Sequence, residues 1–278
     1  MGQRLLVQHE VPESLLVLHT DGGSETQVKM GGRAWNVTVT ARRFDYHPAG
    51  YYESYVGGPA ASRAYMIRIP AAFEYSVLEE GGYRAPLLPR FQFCDRRLEA
   101  LVEALAAATA DRRDSADAVI LSVAIVDRLV ELVSPSGREA AGPVRFSPTV
   151  RRLITEYLDM NLGGRSDIDR IAFLTGLART QSAQAFRQSF GMPLHKYLVQ
   201  RRMDAALQRL ADTDMTVTQL AHELGFSSHA HFTTAFRQHM GMTPSSYRAD
   251  QRFRTRYRTR EPIAGNVDNV RLECASAA

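Results

Sequence analysis

Residues Glu223–Arg248 read ELGFSSHAHFTTAFRQHMGMTPSSYR, and this stretch decides the fold. Gly225 closes a short apolar run at a point where a left-handed backbone costs glycine least. Ser228 is placed to cap the next helix, in which Phe232, Ala235, Phe236 and Met240 recur at helical spacing as one buried stripe. Upstream, Val217–Leu224 puts Leu220, Ala221 and Leu224 on one face of a first helix, and Phe226 enters the core from the turn. Two short helices with a tight Gly-Phe turn between them make a helix-turn-helix layout.

The unit occurs twice. Phe186–Tyr197 (FRQSFGMPLHKY) and Phe236–Tyr247 (FRQHMGMTPSSY) share Phe, Arg, Gln, Gly, Met and Tyr at an offset of 50 residues. Upstream the offset becomes 49, pairing Ala172 with Ala221 and Gly176 with Gly225. A coordinated set of identities argues for duplication. The first copy then consists of Ile168–Thr175, the turn at Gly176 and Leu177, and a second helix with the stripe Ala185, Phe186 and Phe190.

With the phenylalanines inward, the outer face of the second copy carries Ala230, Thr234, Arg237 and Gln238, flanked by His231. The first copy presents Thr180, Gln184, Arg187 and Gln188, flanked by Gln181. These types suit a major groove: Gln pairs bidentately with adenine, Thr touches the thymine methyl, and Arg holds guanine or phosphate. The candidate DNA-binding residues are Arg179, Thr180, Gln181, Gln184, Arg187, Ser228, His229, His231, Thr234 and Arg237. Arg179 and His229, in the first turns, are expected nearest the base edges; Arg187 and Arg237 are expected on the backbone. Between the copies, Pro193–Leu210 reads as one helix of about 27 Å. That is near the roughly 34 Å between successive major grooves on one DNA face. Arg201, Arg202 and Arg209 lie on or beside it and serve phosphates or salt bridges equally well on this reading.

These residues resemble the AraC/XylS family of bacterial transcription regulators over about residues 148–248. The resemblance rests on Arg202 with Ala206, on Ala221, Gly225 and Phe226, on the pair Phe232 and Phe236, and on Gly241, Pro244, Tyr247 and Arg248. It implies two helix-turn-helix subdomains acting at promoters. The chain departs from the family pattern at Ala178, where the family often has a capping Ser, and at Ser182, where it usually has an apolar residue. Gln184 and Thr234 stand where it commonly has Arg. RNA polymerase and double-stranded DNA are the partners the resemblance implies.

The rest of the chain fits a second, different domain. Residues 1–143 carry 15 Lys+Arg against 18 Asp+Glu, whereas residues 144–278 carry 19 against 12. A basic C-terminal half joined to a mildly acidic N-terminal one suggests a polyanion-binding module attached to something else. Residues 1–93 read as β-rich: Ser14–Thr20, Trp35–Arg43 and Arg63–Ile69 are strand-like, with Gly-Gly pairs as turns. From residue 95 the period changes to helical. Leu98, Leu101, Val102 and Leu105 make one stripe; Val119, Val123, Val126, Leu129, Val130 and Val133 make another over Ser115–Val133. The expected fold class is therefore α+β in two domains: a small cupin-like β-barrel with an α-hairpin, as the family resemblance suggests, and an all-α duplicated helix-turn-helix.

The expected organisation is an effector-sensing and dimerisation domain over 1–133, a linker over 134–147, the DNA-binding domain over 148–248 and a basic tail over 249–278. In the tail, Arg252, Arg254, Arg256, Arg258 and Arg260 alternate with Phe253, Thr255, Tyr257 and Thr259; an extended chain would put the arginines on one side, and a disordered tail is the plainer reading. Trp35, Tyr46, His47 and Tyr65, with Tyr51 and Tyr52, are candidates to line a small-molecule effector pocket. Metal-dependent cupin chemistry needs clustered ligands, and residues 1–143 offer only His9, His19 and His47 in no close pair. No enzyme activity, cofactor or zinc site at His229 and His231 is expected. No apolar run reaches the ~18 residues of a membrane span, and two distant cysteines, Cys94 and Cys274, fit a reduced cytoplasmic setting; a nucleoid-associated homodimer is what the family resemblance implies. The expected function is a ligand-responsive transcription activator; the alternative is a regulator gated by a protein partner or by abundance, its N-terminal domain only a dimeriser.

Overall fold

The computed structural model describes residues 5–50, 52–57, 63–83, 87–110, 115–134, 145–164 and 167–258. Eight strands open the described chain: β1 (Leu5–Glu10), β2 (Ser14–His19), β3 (Glu25–Met30), β4 (Arg33–Thr38), β5 (Phe44–His47), β6 (Tyr52–Gly57), β7 (Ala64–Ile69) and β8 (Arg90–Phe93). They form two antiparallel four-stranded sheets, ordered β1-β6-β3-β4 and β7-β2-β5-β8. In the second sheet Leu16 pairs with Tyr46 on one side and Ile67 on the other, and Leu16, Tyr46 and Phe44 are fully buried.

The expected closed barrel is not found: no ladder joins the two sheets among the described strands. The physical reason lies in β8. It is only four residues long, its register on β5 is irregular, and Gln92 takes a left-handed backbone at φ 52°. Its side chain reaches the segment after β4, Gln92 Oε1 accepting from Thr40 N at 2.9 Å.

Helix α1 (Ala71–Gly81) follows β7 directly and was not legible as a helix in a stretch read as β-rich. Pro70 occupies its N-cap position without a side-chain cap, so α1 is held by tertiary bonds. Buried Glu74 accepts from Ser14 Oγ at 2.5 Å and from Tyr46 Oη at 2.6 Å. Then come α2 (Arg96–Ala110) and α3 (Ser115–Val133), the expected hairpin. Leu98, Leu101 and Val102 are buried as their spacing predicts, and so are Val123, Val126, Leu129, Val130 and Val133. Two residues depart from it: Leu105 is only half-buried, and Val119 is 46% exposed where its turn of α3 borders an open cleft.

The C-terminal helices are α4 (Pro148–Met160), α5 (Ile168–Thr175), α6 (Arg179–Phe190), α7 (Leu194–Asp212), α8 (Val217–Glu223), α9 (His229–Met240) and α10 (Pro244–Arg258). Ser147 caps α4 and Pro148 is its first residue, both as the sequence predicts. The stretch 135–144, most of the expected linker, lies outside the described residues. Compactness divides the chain into Met1–Asn161 with Arg165–Leu198, and Leu162–Gly164 with Val199–Ala278.

In the first unit the α2–α3 hairpin packs against α4 and α5. Arg97 Nε donates to the Thr175 carbonyl at 3.0 Å, Arg170 pairs with buried Asp117, and Thr149 Oγ1 donates to Glu80 at 2.6 Å. Burial pushes the Arg170 pKa down, but a hydrogen bond with Tyr157 and the charge of Asp117 favour the cation and outweigh it, so the net shift is upward. Gly176 sits so close that an added Cβ would lie 2.7 Å from Leu101 Cγ. The second unit has its own core of Met203, Leu210, Leu220, Leu224, Phe232 and Phe236, all fully buried.

The tail needs correction. α10 continues to Arg258, so Arg252–Arg258 follow a helical path, not the extended one that the two-residue alternation suggested. Arg252 pairs with Asp214. Residues beyond 258 lie outside the described ones.

Candidate nucleic-acid interface

Each helix-turn-helix is built by the residues its sequence advertised. Gly176 and Gly225 adopt φ of 62° and 71°, the left-handed geometry that turns the chain from the first helix to the second. In the second unit, Gly225 also lies against backbone: a Cβ there would meet the Gly163 carbonyl oxygen at 2.8 Å. Ser228 Oγ accepts from His231 N at 3.1 Å and starts α9. Ala178 gives α6 no side-chain cap; in partial compensation, Gln181 Oε1 accepts from Ala178 N at 3.4 Å.

The outer faces are open. Arg179, Thr180, Gln181, Gln184 and Arg187 of α6 are exposed, as are Ser228, His229, His231, Thr234 and Arg237 at α9, while Phe186, Phe232 and Phe236 are fully buried behind them. Three side chains are less free than the sequence suggests. Arg179 pairs with Asp169. His231 stacks edge-on against Phe226 at 5.4 Å, and its Nδ1 lies 3.2 Å from Ser227 Oγ. Gln188 is half-buried, its Oε1 without a hydrogen-bond partner.

A polar hollow of about 440 Å³ opens on α9, lined by Thr233, Thr234, Arg237, Gln238 and Thr243. Thr243 was not singled out beforehand, although Thr243-Pro244 repeats the cap-and-proline signal of Ser147-Pro148. Its Oγ1 accepts from Ser246 N at 3.2 Å, so the N-terminus of α10 borders the hollow, a place where backbone N–H groups favour an anion.

The arginines of α7 divide by partner. Arg202 donates Nε to the Leu162 carbonyl at 2.9 Å and Nη2 to the Gly164 carbonyl at 3.3 Å, with its guanidinium 5.7 Å over Phe226. Burial lowers its pKa from the ordinary arginine value. Arg209 pairs with Glu223 at 3.1 Å. Both are engaged within the chain, Arg202 as a clamp on the turn of the second unit.

The N-terminal candidates fall into different places. Trp35 and His47 each lie 5.1 Å from the ring of Phe91, an aromatic the sequence reading missed. On β2, β5 and β8, His19 Nε2 lies 2.8 Å from Asp45 Oδ2, and Gln92 N donates to Asp45 Oδ1 at 2.7 Å. Tyr46 does not join this group: its hydroxyl binds Glu74. Tyr65 is 43% exposed on β7. Tyr51 and the side chain of Tyr52 lie outside the described residues. Among the described residues no three His, Cys, Asp or Glu side chains are grouped to hold a metal, and no helix is long and apolar enough to cross a membrane.

Comparison with known proteins identifies the C-terminal domain. A model described as "Helix-turn-helix domain" matches residues 171–250. The probable transcriptional regulator LumQ of Photobacterium leiognathi is 32% identical over 34% of this chain and 38% of its own. The HTH-type transcriptional activator AarP of Providencia stuartii is 31% identical over 37% of this chain and 77% of its own. The chain thus spans less than two thirds of LumQ. A solved AraC-type transcriptional regulator from Chromobacterium violaceum is 31% identical, covering 35% of this chain and 87% of its own, with a TM-score of 0.33.

Proposed function

The chain belongs to the AraC family of helix-turn-helix transcription regulators, and from that premise we propose that it is a ligand-responsive activator whose α6 and α9 enter successive major grooves. The observation that carries the reading is duplicated: two helices that follow a tight turn, each with buried phenylalanine behind and exposed Thr, Arg or Gln in front. Gln184 and Gln181 suit adenine, Thr180 and Thr234 suit the thymine methyl, and Arg179 suits guanine once released from Asp169. Arg187 and Arg237 hold phosphates; the hollow at Thr234, Arg237 and Thr243 receives one of them at the start of α10. The helix α7, 19 residues or about 28 Å long, is the spacer.

In this reading residues 1–133 sense a small effector and pair two chains, 134–147 link, 148–248 bind DNA, and RNA polymerase is recruited in the bacterial cytoplasm. The aromatic and polar group of Trp35, His47 and Phe91 supports an effector site between the sheets. Effector binding changes operator occupancy only through its different affinity for the two states.

Anisotropy titration of the full chain on labelled DNA from upstream of its own gene tests this. Binding should outlast scrambled competitor, and the logarithm of the binding constant should fall linearly with log salt concentration, as phosphate contacts demand. Arg237→Ala should weaken all sequences alike, and Gln184→Ala should cost about 1–3 kcal/mol at one base pair. A response flat in salt contradicts the reading.

A further inference from the structure

The turns of the two helix-turn-helix units differ by one residue. Leu177 and Ala178 stand between Gly176 and α6, whereas Phe226, Ser227 and Ser228 stand between Gly225 and α9. The extra residue changes what the third residue of each recognition helix does. In α6 that residue is Gln181, whose Oε1 turns back to accept from Ala178 N, because alanine supplies no cap. In α9 it is His231. Ser228 already caps this helix, so the imidazole is not needed there. Its Nδ1 lies 3.2 Å from Ser227 Oγ instead.

The ring has a second restraint, its edge-on contact with Phe226 at 5.4 Å. Phe226 is itself fixed: it is 6% exposed, lies 5.2 Å from the ring of fully buried Phe232, and sits under the guanidinium of Arg202, which donates to two loop carbonyls. His231 is therefore an exposed side chain on a rigid support. Its Nε2, at the far edge of the ring, has no partner among the described residues. A hydroxyl donating to Nδ1 leaves the proton of the neutral ring on Nε2, and a protonated ring carries one there as well. The support thus presents a single N–H donor from the first turn of the recognition helix, the part that meets base edges. In the major groove guanine offers two adjacent acceptors, N7 and O6, whereas adenine sets a donor amine beside its N7 and cytosine presents a donor. A lone N–H donor held in place selects guanine and loses little freedom on binding.

We propose that His231 is a specificity-determining residue that reads a guanine through Nε2–H, and that Ser227, the extra residue of the second turn, is the positioning residue that fixes its tautomer and ring angle. The proposal rests on the regulator reading and deepens it: it assigns one base of the site to one side chain of α9 and explains what the longer turn does.

The test selects binding sites for the full chain from a randomised duplex DNA library, with wild type and three variants side by side. Wild type should enrich a site containing a guanine preferred about fivefold or more over the other bases. His231→Ala should enrich the same site with that one position open to any base, while its binding to unselected DNA stays unchanged. Ser227→Ala should weaken the preference several-fold at the same position alone, and Ser227→Thr, which keeps the hydroxyl, should retain it. Nitrogen-15 NMR of the imidazoles, with the His231→Ala spectrum assigning the signal, should show the Nε2–H form in wild type and a mixture of tautomers in Ser227→Ala. An enriched site unchanged by His231→Ala would overturn the proposal. So would a loss spread evenly over all sequences, which marks a phosphate contact or a structural role, and so would an Nδ1–H signal for His231 in wild type. Enrichment of no site by wild type sinks the regulator reading itself, which separates the two failures.

Discussion

Gly176→Ala probes the joint between the α2–α3 hairpin and the first helix-turn-helix. Gly176 is at φ 62°, where an alanine costs about 1–2 kcal/mol in backbone strain. Its Cβ would also fall 2.7 Å from Leu101 Cγ and 3.1 Å from the Arg97 carbonyl oxygen. Overpacking of that kind costs about 1–3 kcal/mol. Gly191 provides the control, since at φ 75° nothing lies within 4 Å of its added Cβ, so Gly191→Ala carries the strain alone. The assay is urea unfolding followed by fluorescence of Trp35, the single tryptophan, which lies in the same compact unit as both glycines. Gly176→Ala should exceed Gly191→Ala by about 1–3 kcal/mol. Leu101→Ala should relieve it, so that the double variant costs less than the two singles summed, by a similar amount. Equal losses at the two glycines, or strict additivity with Leu101→Ala, would refute the docking of the turn on α2.

Ser182 is fully buried with no partner for its hydroxyl, so Ser182→Ala should stabilise the chain by about 1 kcal/mol in the same assay. Ser228→Ala removes the cap of α9 and should cost about 1 kcal/mol in thermal unfolding of the second unit. Asp95 is held below the ordinary carboxylate range: burial pushes its pKa up, but the hydrogen bonds from Arg128 and Leu98 N and the charges of Arg128 and Arg97 outweigh it. Its contribution is present above about pH 4 and lost as pH falls through the lower folded value, so Asp95→Asn should flatten acid unfolding below about pH 4.

Local punctuation was legible and tertiary closure was not. Gly176, Gly225, Ser147 and Ser228 act within a few residues of themselves, so their turns and caps follow from type and spacing. α3 was readable to the residue because its apolar period runs for five turns. α1 was not, because Ala71–Gly81 has no N-terminal side-chain cap and is held by Glu74 to side chains 60 and 28 residues away. The open pair of sheets was likewise hidden, since which strand edges pair is set between segments far apart in sequence. Candidate residues followed the same rule. Exposure of the α6 and α9 faces came from helical spacing, whereas the partner of Arg179 lies on another helix, α5, and those of Arg202 in the loop after α4, neither of which spacing describes. Trp35 and His47 reach the same ring only through Phe91, a strand no alternation announced.

The most direct measurement of the central claim is methylation protection of guanine N7 by the full chain on its upstream DNA. The account predicts two protected major-groove clusters about one helical turn, roughly 10 base pairs, apart on one face of the duplex. Gln184→Ala should erase or blur one cluster and Thr234→Ala the other. A single cluster, or two that both answer to the same helix, would contradict a chain that reads DNA with α6 and α9 together.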